Sequence, residues 1–444
     1  MPFLPNKERR KVILTLGFPI IAGMLSQNVL NVVDAAMVGT LGDVALAATG
    51  LGGFANFMAT SFIMGLSAGV QAVSSRRLGE GKRDVLAVAL NAGLIFAFIW
   101  AIPWTALLHW GAPAIFSILI DDPAVAAEGV PYFQARLLSA LAVGINSAFR
   151  GYWNGINLPK LYMRTLMVSH ATNLFLNWVL IFGNLGAPEM GTLGAGIASS
   201  IATYVAALTY IGLGFQHARK NGFLTIRPDR AICRKLLRLT LPASLAQLSL
   251  ATGYTALMWI VGQTGTASLA AANVLLTVTL VIILPGIAFG LVAASMVGQA
   301  LGRNDADDAA QWGWDVVRVA VLVLGIMGLP MILVPDLLLS GFLHDPETRA
   351  LAVLPLQLVG ATIGIDAIGL VLLNALYGAG ASRSVLLVGT TMQWGIGLPL
   401  AYLFGPVLGW GLAWMWAAMI LYRAGQSIIL AGMWKKRSWA NIAV

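Results

Sequence analysis

Between Val12 and Gly39 the chain carries one charge, Asp34, and one early proline, Pro19. A helix of about 28 residues rising ~1.5 Å per residue is ~42 Å long, enough to cross a bilayer with tilt or a bend. Apolar runs of roughly 20 to 28 residues recur along the whole sequence, the length of membrane helices. The ~10-residue alternation of an outer-membrane barrel is not the pattern here. Charged residues make up 10% of the chain and hydrophobic ones 58%. A soluble domain carries roughly 25% charge. The sequence therefore predicts an all-α polytopic membrane protein.

The formal net charge of +9 does not point to nucleic acid. Basic residues cluster in the loops between apolar runs, as the positive-inside rule requires. Lys7-Glu8-Arg9-Arg10-Lys11 resembles the basic start of a signal peptide, but the apolar run behind it is too long and lacks a good cleavage site. It is expected to be retained. The single Cys233 excludes an intramolecular disulfide and any multi-cysteine metal site.

Twelve spans are expected, at roughly 12–39, 47–73, 86–109, 129–153, 162–183, 192–215, 236–262, 268–296, 311–335, 350–377, 384–405 and 409–432. The breaks carry turn chemistry, including Gly42-Asp43, Asp121-Asp122-Pro123, Gly186-Ala187-Pro188 and Asp345-Pro346. With the N-terminus placed inside, 23 of the 27 Lys and Arg fall on the inner side, and the outer loops hold Arg349 alone. Both termini are therefore expected in the cytoplasm, in a cell (inner) membrane.

The sequence also repeats. Shifted by 223 residues, Pro19 falls on Pro242, Gly42 on Gly265, Leu46-Ala47-Ala48 on Leu269-Ala270-Ala271, Leu78-Gly79 on Leu301-Gly302, and Gly155 on Gly378. Each half starts on the same side of the membrane. The expectation is two six-helix bundles related by a pseudo-twofold along the membrane normal, with a substrate between halves that rock. The division reads as an N-lobe at 1–215, a cytoplasmic linker loop at 216–235 and a C-lobe at 236–444.

Of the 18 acidic residues, only Asp34 and Asp366 lie well inside spans. An ionisable group there is costly and marks a functional site by default. On the fifth span His170, Asn173 and Asn177 are spaced i, i+3, i+7 and share one helix face. Amides can hydrogen-bond a carboxyl in either protonation state, so Asn173 and Asn177 suit Asp34. No basic residue lies on the first span beside Asp34. For Asp366 the polar company considered is Gln357, Asn374 and Gln393. Pro19 gives the first span a place to bend. No phosphate loop, His-Glu-x-x-His or Gly-x-Ser-x-Gly occurs, so no enzyme constellation, metal site or cofactor is expected.

These residues resemble the multidrug and toxic compound extrusion (MATE) transporters over the whole chain. The resemblance rests on Val33-Asp34-x-x-Met37-Val38-Gly39, then Leu46-Ala47-Ala48, Leu78-Gly79-Glu80-Gly81, the partly matching block in the second half, and Gly194-x-Gly196-x-Ala198-Ser199. Asp34 with Asn173 and Asn177 resembles the DinF-like branch. The resemblance implies an antiporter, acting as a monomer in the lipid bilayer, that exports amphipathic organic cations against a proton or sodium flow. It implies a site of Asp34, Asn173, Asn177 and the Ser199 hydroxyl; Asn177 stands where some members have Asp. Asp366 resembles one half of a second cation site whose other acid, on the seventh span, is missing. That favours proton over sodium coupling. A lipid-linked flippase is the other alternative, for which Arg136 is the main interior candidate.

Overall fold

The computed structural model describes residues 4–442, and these are helical apart from turns and short connections. Sixteen α-helices build the described residues. They are α1 (Lys7–Gly39), α2 (Asp43–Met64), α3 (Leu66–Gly79), α4 (Val88–Leu119), α5 (Pro123–Leu137), α6 (Ala140–Gly155), α7 (Pro159–Phe182) and α8 (Gly191–His217). The second half has α9 (Arg230–Gly262), α10 (Thr266–Gly302), α11 (Ala306–Leu333), α12 (Pro335–Ser340), α13 (Pro346–Gly378), α14 (Ser382–Met392), α15 (Leu398–Tyr402) and α16 (Leu412–Lys436). Among the described residues, ten helices are long and apolar enough to cross a membrane. Two further rods, α5 with α6 and α16, bring the total to the expected twelve. The molecule is a multi-pass membrane protein.

The repeat extends to the helix ends. α1 and α9 start and stop 223 residues apart, as do α2–α3 and α10, and α5–α6 and α13. Local chemistry explains the shared boundaries. Gly42 and Gly265 precede α2 and α10 with φ of 111° and 119°, a region that favours glycine. Asp122 and Asp345 cap α5 and α13, each followed by a proline in the first turn. Asp345 accepts from the Thr348 amide at 2.9 Å and from its hydroxyl at 2.6 Å. These bonds, the hydroxyl's first, hold its carboxyl below the usual range.

The halves differ where one helix is broken. α2 gives way to α3 at Gly65, whereas α10 runs through the matching position. α5 and α6 are separated at Leu138-Ser139, whereas α13 is continuous. Between α14 and α15, and after α15, two turns widen to π geometry at Gln393–Gly397 and Leu403–Val407. Pro399 and Pro406 lack an amide hydrogen, so the regular ladder cannot continue there.

The chain clusters into two units, and they do not follow the expected cuts at 215 and 236. Among the described residues, a C-terminal unit combines 4–21 with 245–442; an N-terminal unit runs from Ala22 to Ser244. α1 and α9 therefore each change unit part-way, at positions 223 residues apart. In the C-terminal unit the start of α1 is pinned by Arg9. Its guanidinium pairs with Asp315 at 2.8 Å and with Asp308, and lies 4.5 Å over the Trp312 ring. In the N-terminal unit, Leu236 and Thr240 at the start of α9 are fully buried. The region expected as a linker is also packed there. Asn91 donates to the carbonyls of Gly222 and Ile226, each at 2.8 Å, and Phe223 is fully buried.

Candidate functional site

In the N-terminal unit α1, α7 and α8 bring four of the expected residues into one hydrogen-bonded chain. The Asn177 amide donates to Asp34 Oδ1 at 2.7 Å and to Asn173 Oδ1 at 3.2 Å. Asn173 in turn donates to the Ser199 hydroxyl at 3.1 Å. Asn173 and Asn177 are buried, while Asp34 is half-buried. Both amide hydrogens of Asn177 are thus committed, but its own oxygen is buried without a partner. The i, i+4 spacing of Asn173 and Asn177 makes this possible, because it stacks both amides on one face of α7.

His170 occupies the same face of α7 but meets a different residue. Its Nε2 lies 3.2 Å from the Ser26 hydroxyl on α1. Ser26 donates its one hydrogen to the Gly23 carbonyl at 2.8 Å. Nε2 is then the donor in the His170 contact, and Nδ1, buried without a partner, is the bare nitrogen. The contacts lie seven residues apart on α7 and eight on α1, so the two helices run side by side in one direction.

One neighbour of Asp34 was not expected in that role. Arg136, near the end of α5, is close enough to act on Asp34 electrostatically. Its Nε is buried without a hydrogen-bond partner, and among the described residues it forms no ion pair within 4.0 Å. Asp34 is therefore not isolated from positive charge; the charge comes from another helix.

Asp366, on α13 in the C-terminal unit, has none of the company considered from sequence. Gln357 donates to the Ile332 carbonyl at 3.3 Å, Asn374 to Leu370 at 2.9 Å and Gln393 to Leu250 at 3.5 Å. Its partner is Arg423 on α16, with Nη2 3.1 Å from Oδ2. The available signal was Arg423 itself, a lone cation inside an apolar run, which requires a partner. Among the described residues no group of three or more His, Cys, Asp or Glu could hold a metal.

The model of the family MatE matches residues 19–179 and, again, 242–403. The chain belongs to the MatE family. The two matches begin at Pro19 and Pro242, so the family unit is the repeat itself. This MatE chain is 27% identical over 440 residues to a probable multidrug resistance protein NorM of Brucella suis, covering 96% of this chain and 92% of that one. It is 27% identical over 444 residues to the multidrug resistance protein NorM of Burkholderia vietnamiensis, covering 96% and 94%. Among solved structures it resembles an outward-facing multidrug resistance MATE family transporter of the MOP superfamily. The TM-score is 0.89 at 19% identity, with 98% and 97% of the two chains covered. MATE structures in the bent and straight conformations match with TM-scores of 0.87 and 0.86, at 19% and 20% identity. The first pairing covers 97% of this chain and 95% of that one, and the second 97% and 96%. As a MatE protein the chain is a membrane transporter and not an enzyme.

Proposed function

We propose that this MatE protein is a proton-coupled multidrug exporter whose coupling residue is Asp34, in the DinF-like branch. Its substrates are amphipathic organic cations, and it works as a monomer in the inner membrane with both termini cytoplasmic. The observation that carries the reading is the Asn177 amide. It donates to Asp34 at 2.7 Å and keeps an unpartnered buried oxygen. A carboxylate uses the donor; a carboxylic acid can use both, giving its own hydrogen to the amide oxygen. The site thus suits either protonation state with little rearrangement. A cationic drug is favoured when Asp34 is ionised and released when it is protonated. Two ligands that bias the same two states are coupled.

Asn173 and Ser199 hold the Asn177 amide in register, and His170 fixes α7 against α1 through Ser26. Sodium is the competing coupling ion. Purified protein in liposomes should move ethidium under an imposed proton gradient with no sodium present. Movement that needs a sodium gradient at equal pH on both sides would overturn the proton reading.

Orientation is tested separately. The loop around Thr225 should face the cytoplasm, given the inward bias of Lys and Arg counted in the sequence. Thr225 is exposed. A cysteine there, in a Cys233→Ser background, should resist an impermeant thiol reagent in intact cells and react in opened ones. Labelling in intact cells would invert the topology.

Pro19 is proposed as a hinge. It sits two residues before the point where α1 passes from one unit to the other, and structures similar in fold are described as bent and straight. Proline removes one backbone bond and loosens the helix locally. Pro19→Ala should slow ethidium transport several-fold while leaving the melting temperature at or above the parent value. An unchanged rate would remove the hinge.

A further inference from the structure

The C-terminal unit contains a cavity that the export reading does not use. Asp366 and Arg423 both line it, together with Tyr254, Thr279, Trp416 and Tyr422. The rest of the wall is apolar, from α9, α10, α13 and α16. The ion pair is mostly buried, and Arg423 has no other carboxylate within 4.0 Å among the described residues. The ionisable groups lining the cavity around Asp366 are Arg423 and Tyr422 on α16 and Tyr254 on α9; α10 contributes only Thr279 as a polar side chain. The Thr279 hydroxyl is buried and has no hydrogen-bond partner.

Charge balance selects the ligand. A guanidinium stays charged, whereas a carboxyl can be neutralised by a proton. The cavity walls hold one positive and one negative group, Arg423 and Asp366. If an organic cation enters, it must share the one carboxylate with a guanidinium already paired to it at 3.1 Å. Arg136 makes no such pair with Asp34. In a poorly solvated space the excess positive charge on a direct pair is unfavourable. If a carboxylate enters and Asp366 takes up a proton, the cavity remains neutral. The ligand carboxylate then accepts from Arg423 in the place that Asp366 held. The new carboxylic acid gives its hydrogen to a neutral acceptor such as the idle Thr279 oxygen. Arginine suits this exchange because its planar fork matches any carboxylate. The aromatic and apolar wall suits a ring behind it.

We propose that this cavity binds a small aromatic carboxylate, and that binding places one proton on Asp366. In the ion pair with Arg423, Asp366 occupies the position that the ligand carboxylate takes. The inference does not depend on Asp34 being the coupling residue.

The test uses purified full-length protein, with sulfate as the only other anion. The probes are benzoate and benzylammonium, which differ in the sign of the charge. Benzoate should raise the melting temperature and take up about one proton per site from a weakly buffered solution near pH 6.5. Asp366→Asn should bind benzoate at least about tenfold more tightly, because the internal competitor is gone, and should take up no proton. Asp366→Asn/Arg423→Gln should lose the response while retaining a neutral, foldable cavity. If Asp366→Asn is unstable alone, benzoate should rescue it during purification, and benzylammonium should not. Asp34→Asn should leave all of this unchanged, so a failure here is distinct from a failure of the export mechanism. Stabilisation by benzylammonium that disappears in Asp366→Asn would make the cavity a cation site. Absence of any benzoate effect on the parent protein and on Asp366→Asn would also overturn the proposal.

Discussion

Asp34→Asn should leave liposomes with no proton-driven ethidium export, at the level of liposomes without protein, while the protein purifies and melts like the parent. The substitution keeps the shape of the side chain and an oxygen that can accept from Asn177, so the chain through Asn173 to Ser199 can persist. What disappears is the proton that comes and goes, and the negative charge that would attract a cationic drug. Arg136 makes the expected effect larger. With Asp34 neutral, the nearby guanidinium is no longer offset, and a cation entering the site meets a net positive field. Asn177→Ala should be milder, because it removes the hydrogen-bond partner and leaves the titrating group. Drug-for-proton exchange by Asp34→Asn at the parent rate would sink the mechanism.

The second large effect is on stability. Gly378 ends α13 against the backbone of α10: an added Cβ would lie 2.2 Å from the Ala294 carbonyl oxygen and 2.6 Å from its Cα. A helical carbonyl cannot swing aside as a side chain can. The equivalent residue in the first half, Gly155 at the end of α6, faces the equivalent carbonyl, that of Gln71, at 3.0 Å. Small residues at such crossings let helix backbones meet. Gly378→Ala should cost about 1–3 kcal/mol, the usual range for overpacking, and Gly155→Ala clearly less. Thermal melting in detergent compares the two directly. Equal shifts would mean that the α10–α13 contact gives way as readily as its counterpart.

The twelve spans and the repeat were legible because a membrane helix must be long and apolar, and because matched landmarks keep one spacing. Hydropathy does not record how the backbone fills that length. The break at Gly65, the step at Leu138-Ser139 and the wide turns near Pro399 depend on packing and on missing amide hydrogens. At the site, Asn173 and Asn177 could be placed together from spacing alone, since one helix face is a local property. That they suit Asp34 followed from amide chemistry, whereas Ser199 came from resemblance. The partnerships with Arg136 and Arg423 were missed because each partner lies on a helix distant in sequence. An arginine inside an apolar run requires a partner as much as an interior acid does. His170 shows the same limit: its face was legible, but its contact with Ser26 was not.

The change of unit within α1 and α9 decides how such a chain can be taken apart. A six-helix piece cut at the middle loop would keep the start of α1 but lose the partners that bury Ile13 and hold Arg9. It would also lack the stretch of α9 that fills its own unit. Neither piece is a complete folding unit, so the repeat in the sequence is not a repeat of independent parts. The leading stretch of each half, residues 7–21 and 230–244, packs in the unit built mainly by the other half.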